Sequence, residues 1–392
     1  MTQRPVSGLE RVWLAADRMA PPFVNQCVLT NLPAFDTARL EAAVARAAAV
    51  HPGVCVRLNG RLRSLRWVAN GPPPRFTTPA DPTWTARDER DAPWLRNPLD
   101  PQEGPVCEIV ALQGATPDTR HIIVRTHHAA LDGRGTQLFV EDLLAAYAGE
   151  PVRGAEAGPT YDLDLARPHA PKPRPEPPTD AISPTGASGP GDTHQWRRVT
   201  LPKLPSPVLP RVLLALAQAA RTTGATGPLR IGLPVDLRRY TPDLRASANL
   251  TGVAPLTLPD PLPSLDTLRA LVDAAAAGPD AAAHVLAADR LRGTPVWLMT
   301  LAGRLAAPSL RRKGRYPISV SVSNLGRHAY TLDGHPISAF WIPPPSPGLP
   351  LFMSTCGNAT ALELCAGSPE GIGGAGRLDA LLAHMVQLLT AP

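Results

Sequence analysis

The chain has 392 residues, 44% hydrophobic and 18% charged, which supports one large domain or two ordinary ones and excludes wholesale disorder. Proline is the outlier, with 48 residues, about 12% against a usual share of roughly 5%; because proline has no N–H to donate, a long helical bundle and an unbroken set of central strands are both excluded. The formal net charge of +6 suits an anionic ligand but is too small and too dispersed for a nucleic-acid binder, and no nucleic-acid motif is present.

The five cysteines, at 27, 55, 107, 356 and 365, are odd in number and widely spaced, so neither a disulfide framework nor a zinc site is expected. Nothing near the start reads as a signal peptide and no stretch reaches 18 apolar residues; a cytoplasmic protein without a membrane span is expected.

In chain order, Ser7 and Glu10 stand at capping-box spacing and predict a helix over 7–17. A short strand follows over 25–32. Asp36 caps a helix over 37–50 that carries Leu40, Val44 and Ala48 on one face. Residues 54–58 and 61–68 read as a hairpin turning at Asn59-Gly60. Strands over 106–113 and 119–127 precede a helix over about 135–148. Residues 151–200 then hold ten prolines, and the run PKPRPEPP at 171–178 can be neither helix nor central strand. A surface linker is expected there, with a proline-rich docking segment as the alternative. The last half restarts with a strand over 195–201, a helix over 210–223 and a strand over 229–235. Helices over 265–277 and 281–292, a strand over 316–323 and a strand pair over 351–356 and 361–365 follow, and an amphipathic helix over 377–389 closes the chain. Gly371 to Gly376 fits G-x-G-x-x-G, but too few residues follow for a dinucleotide fold, so it reads as a turn.

Chemistry concentrates in residues 121–135, HIIVRTHHAALDGRG, where an alternating strand runs into His127-His128. Successive strand residues point to opposite faces, so the pair does not easily share an ion and no metal is expected. An imidazole at a strand end is suitably placed as a general base near pH 7. Taken alone, the pair also fits an ordinary core-and-surface arrangement.

HHAALDG is a complete HHxxxDG motif and resembles the active-site signature of the chloramphenicol acetyltransferase-like superfamily. That group holds the condensation domains of nonribosomal peptide synthetases, polyketide-associated acyltransferases, wax-ester synthases and the plant BAHD acyltransferases. The resemblance continues in the family's order over nearly the whole chain. Ser7 to Trp13 is similar to the opening S-x-x-Q/E-x-x-W/Y region, and Asp36, Leu40 and His51-Pro52 to the "D-x-x-x-L … R-H-P" helix. Asn97 to Asp100 with Gly104-Pro105 is similar to "P-F-D … G-P-L". Leu233 to Arg238 with Asn249 is similar to "P-V-x-x-R … G-N", and Ser323 to Gly326 to the late "S-N-x-G" strand.

The resemblance implies an α/β (α+β) fold, a pseudo-dimer of two chloramphenicol acetyltransferase-like lobes with the catalytic loop and a tunnel at their interface. The expected division is an N-terminal lobe over 1–160, a proline-rich crossover over 161–194 and a C-terminal lobe over 195–392. His128 is then the base that takes a proton from an acceptor alcohol or amine attacking a thioester carbonyl, and His127 is structural. Asp132 is implied to pair with Arg238 and fix the loop, while Gly133 keeps the channel clear. Ser321, Ser323 and Asn324 are the oxyanion candidates. Arg311, Arg312, Lys313 and Arg315 are candidates for holding a coenzyme A phosphate or an acidic carrier protein; a solvated loop explains the same run. No bound cofactor is expected. The co-substrate is an acyl-CoA or a phosphopantetheinyl acyl-carrier thioester, the other partners a small-molecule acceptor and an acyl or peptidyl carrier protein, and the chain a monomer. An acyltransferase of specialised metabolism, acting as a discrete tailoring enzyme, is the first expectation. A stand-alone condensation or cyclising enzyme working on carrier-bound intermediates is the alternative, and a non-catalytic recruiting protein the third.

Overall fold

The computed structural model describes residues 3–391 apart from residues 81, 157–160, 171 and 225. The expected lobe boundary at 160 and the first proline of the 171–178 run therefore lie outside the described residues.

Strand β1 (Gln3–Pro5) leads into α1 (Gly8–Met19), where the Glu10 N–H donates to the Ser7 hydroxyl and the Ser7 N–H to the Glu10 carboxylate. Next come β2 (Val24–Thr30) and α2 (Thr37–Ala49), which is capped by Asp36 through the N–H groups of Ala38 and Arg39. β3 (Arg57–Asn59) and β4 (Arg66–Val68) pair antiparallel, but the connection is the longer loop 60–65, because Leu62–Ser64 coil into a 3-10 turn where an extended strand was expected. β5 (Arg75–Thr77), β6 (Cys107–Gln113), β7 (Arg120–His127) and α3 (Gly133–Ala148) complete this half. After the short α4 (Asp162–Ala166) come β8 (His194–Pro202), α5 (Val208–Thr222), β9 (Leu229–Asp236) and β10 (Thr251–Leu258). Helices α6 (Leu265–Ala277), α7 (Asp280–Asp289) and α8 (Val296–Lys313) precede β11 (Val320–Arg327) and the small β12 (Thr331–Leu332) and β13 (His335–Pro336). The chain ends with β14 (Ser338–Ile342), β15 (Phe352–Gly357), β16 (Ala361–Pro369), α9 (Glu370–Gly373) and α10 (Arg377–Thr390).

Two sheets organise these elements. The first has the order β14-β2-β7-β6-β5 and the second β10-β9-β11-β15-β16-β8. β14 comes from the C-terminal half but pairs antiparallel with β2, so the second half of the chain closes the edge of the first sheet. Within the second sheet, β9 and β11 run parallel for only two residue pairs, Ile231 with Val320 and Gly232 with Ser321, and then diverge. The divergence opens a wedge beside the end of β7.

The 161–194 segment packs in parts, with buried residues over 161–170 and 181–185, while residues 172–180 are half-buried or exposed. Tyr161, Leu163, Ala166 and Ala170 bury themselves against Ala281, Ala282 and Val285 of α7. Farther on, Arg230 donates to the Pro178 carbonyl at 2.8 Å and pairs with Asp180 at 2.9 Å. The segment is a strap held to the C-terminal half.

Phe340 of β14 marks the seam between the sheets. It is fully buried among Val28, Val110 and Ile123 of the first sheet and Trp196 and Cys365 of the second, with the Arg198 guanidinium 4.2 Å from its ring centroid. Phe340→Ala empties the seam and is expected to cost about 3–5 kcal/mol, read from the shift of the chemical-denaturation midpoint.

Candidate active site

β7 delivers the site. Its last residue, His127, is fully buried; Nδ1 accepts the Ala129 N–H at 3.2 Å, and Nε2 lies 3.7 Å from the Asp17 carboxylate. His128 turns the other way and lines the cavity between the two halves. The Phe23 carbonyl accepts its N–H at 3.1 Å. Its ring stands against Phe23 and Trp13, at centroid separations of 5.2 and 5.5 Å. Asn249 donates to the His128 carbonyl at 2.6 Å and lies 3.4 Å from Nδ1. Nε2 makes no hydrogen bond to the described residues, which leaves it as the nitrogen open to the cavity. Burial lowers the imidazole pKa to about 4, against the smaller opposing effects of its own carbonyl and of Asp132. The ring is therefore a neutral acceptor at neutral pH.

Asp132 caps α3 by accepting the Gly135 N–H at 2.7 Å. It also accepts the Leu250 N–H at 2.7 Å, the Thr251 hydroxyl at 2.9 Å and both Nη atoms of Arg238 at 2.9 and 3.1 Å. Burial alone raises the Asp132 carboxyl; Arg238 and the N–H donors outweigh it and hold the group below its ordinary value. Arg238 in turn donates to the carbonyls of Ala246 and Ala248 and to Asp236. The loop carrying His128 is thus fixed by residues of the other half of the chain.

The cavity measures about 860 Å³. α1 and α3 wall it on one side, and the wedge between β9 and β11 walls it on the other, with Gly232 and Pro234 facing Ser321 and Ser323.

Solved structures share the fold over nearly the whole chain. One is a variant of the starter condensation domain of rhizomide synthetase in complex with C8-CoA, with TM-score 0.62 and 16% identity over 100% of this chain and 95% of that one. The fold is that of the condensation domains. The condensation domain of the Monacolin K polyketide synthase is similar with TM-score 0.59 and 14% identity over 99% and 97% of the two chains. The epimerization domain from the third module of tyrocidine synthetase B follows, with TM-score 0.58 and 14% identity over 99% and 97%. No protein-family model matches the chain, and no curated protein does.

Within this condensation-domain fold the remaining candidates divide. Gly133 lines the cavity, and a Cβ there would meet one atom within 4 Å, the movable Cδ2 end of Leu325 at 2.9 Å. Ser321, Ser323 and Asn324 also line the cavity. The Asn324 amide oxygen is occupied by the Thr355 hydroxyl and the Gly326 N–H, both at 3.2 Å. Arg311, Arg312 and Lys313 form the last turn of α8, where cations complement the helix dipole, and Arg315 follows its Gly314 cap. Arg311 pairs with Asp192 at 2.6 Å, the other three are exposed, and none of the four lines the cavity. Sequence reading gave no role to Trp13, Phe23, Asn249 or Thr251, which hold the imidazole and the loop. Trp13 and Asn249 stood in the matched segments, but Phe23 carried no signal.

Asp132→Asn removes the negative charge facing buried Arg238 and is expected to cost about 3–5 kcal/mol of unfolding free energy, measured by denaturant titration. A second expectation concerns pH. Burial holds His121, His128, His194 and His284 near a pKa of about 4. The unfolded chain binds these protons near pH 6.5. A depressed folded pKa means that stability is full above pH 6.5 and declines as the pH falls toward 4. On denaturation between pH 6.5 and 5 these four histidines should take up as many as four protons, each worth about 1.4 kcal/mol per pH unit, offset by the one that Asp162 releases, since burial raises its carboxyl to about 7 in the folded chain.

Proposed function

We propose that the protein is an acyltransferase that moves an acyl group from a coenzyme A or carrier-protein thioester to an alcohol or amine in natural-product synthesis. The observation carrying this reading is the neutral His128 ring in an interlobe cavity, its Nε2 unpartnered among the described residues and its loop locked by the Asp132–Arg238 pair. The acceptor's O–H or N–H proton passes to Nε2 as its oxygen or nitrogen attacks the thioester carbonyl. The tetrahedral adduct collapses by breaking the carbon–sulfur bond, and the imidazolium returns its proton to the departing sulfur.

Ser321 and Ser323 make no hydrogen bond through their hydroxyls to the described residues, which suits donation to the oxyanion; Asn324 offers its amide N–H₂. Arg312, Lys313 and Arg315 are left for the phosphates of coenzyme A or the acidic face of a carrier, whereas Arg311 is engaged with Asp192. The two lobes in this reading are residues 1–160 and 195–392, joined by the strap, with β14 exchanged between them.

A solved relative of this fold in complex with C8-CoA supports coenzyme A as donor. The likeness to condensation domains leaves a second form of the same chemistry, a stand-alone condensation or cyclising enzyme acting on carrier-bound intermediates. Turnover of carrier-protein thioesters without turnover of coenzyme A thioesters selects that form.

His128→Ala should lower turnover about 10²- to 10⁴-fold, followed by intact mass of the acceptor, while the circular dichroism spectrum stays that of the wild type. Wild-type rates in that variant remove the mechanism. The acid limb of kcat/KM should fall near pH 4, not near the 6.5 of a solvated imidazole, measured over the range in which the protein stays folded.

A further inference from the structure

We infer that the cavity contains a carboxylate-binding site, formed by Arg174 of the strap and His284 of α7, that anchors a carboxylate carried by one of the two substrates. The inference rests on the acyl-transfer reading for the word substrate, though not for the site itself.

Arg174 lines the cavity, and its N–H donates to the Ala283 carbonyl at 3.3 Å, which fixes this part of the strap on α7. Its Nε and Nη1 are buried and make no hydrogen bond to the described residues. Asp280 and Glu176 act on its charge from nearby, but neither forms an ion pair with it. Buried guanidinium donors without an acceptor are costly, and an arriving anion removes that cost.

His284 supplies a further donor beside it. Its Nδ1 accepts the Val253 N–H at 3.3 Å, so the neutral ring carries its proton on Nε2, which has no partner among the described residues. Burial, with Arg174 adding to it, keeps the ring neutral by lowering its pKa to about 4.

The site shares a wall with the catalytic loop. Val253 lies two residues along β10 from Thr251, roughly 7 Å away on the same face, and the Thr251 hydroxyl donates to Asp132. Pro234 opposes Val253 across the strand pair, and Gly232, which opposes Pro255, lies against the Val253 side chain and contributes none of its own to the space. One guanidinium and one neutral imidazole, with the carboxylates of Glu176 and Asp236 in the same cavity wall, suit a single negative charge better than a phosphate.

The test is calorimetric titration of the protein with octanoate and with octanamide, which match in length and differ in charge. Octanoate should bind the wild type. Its affinity should fall about tenfold or more in Arg174→Gln and about fivefold in His284→Ala, with partial recovery in Arg174→Lys, while octanamide is unaffected. Turnover then identifies the source of the carboxylate. Amino acids paired with their methyl esters probe the acceptor, and succinyl-CoA paired with butyryl-CoA probes the acyl chain. Arg174→Gln should raise KM about tenfold for the carboxylate member of one pair only.

No octanoate binding by the wild type, equal loss for octanoate and octanamide, or octanoate affinity unchanged in Arg174→Gln overturns the site. A loss seen only when free coenzyme A is titrated overturns the carboxylate assignment in favour of a phosphate. If no thioester is turned over while octanoate binding still depends on Arg174, the site stands and the acyl-transfer reading falls.

Discussion

Asp132 is a buried carboxylate surrounded by five donors: two from Arg238, two main-chain N–H groups and the Thr251 hydroxyl. A charge this deep is tolerable only where every lone pair is engaged. That demand couples three things. The cap fixes the start of α3, the pair fixes the HHxxxDG loop, and Leu250 and Thr251 bring the start of β10 to the same point. Arg238 faces two carboxylates and two main-chain carbonyls, so it cannot follow Asp132 elsewhere without stranding them. The imidazole is thereby aimed by a network in which it takes no part.

Other joints between the halves surround this pair. Gln137 of α3 donates to the Leu325 carbonyl of β11 at 2.8 Å, the strap lies on α7, and β14 crosses into the opposite sheet. The cavity exists because β9 and β11 part company after two residue pairs. Pro234 lies on the diverging stretch of β9 and has no N–H with which to continue the parallel ladder. Apolar walls and sparse polar groups follow from placing a site where two cores meet.

The fold and the HHxxxDG loop were largely legible because their signals are local. Ser7 with Glu10 and Asp36 before α2 are caps readable from a few residues, and the 121–128 alternation shows that His127 and His128 must diverge. What escaped had conflicting local signals. β10 carries Pro255, which suits only an edge strand, and β10 is an edge. α8 contains Pro308 and shows apolar residues on opposite faces, Trp297, Leu301 and Leu305 outward and Met299, Gly303 and Leu310 toward the cavity, which blurs its periodicity. β14 is a serine and four apolar residues among prolines. Nor does composition show that a proline-rich stretch is packed: the strap is held by the side chains of Tyr161, Leu163, Ala166 and Ala170 and by the contacts of Arg230 to the Pro178 carbonyl and Asp180. Arg174 and His284 belong to no motif, since only tertiary structure brings them together.

The crossing of β14 also bears on how the chain is made. β2, β7, β6 and β5 emerge first, but the strand that covers the free edge of β2 follows only after most of the second half has been synthesised. At about 5–20 residues per second the wait is on the order of 10 to 40 s. For that interval a fully buried strand, VNQCVLT, presents unpaired main-chain groups to its surroundings. The topology thus delays the covering of that edge until the C-terminal half has been made.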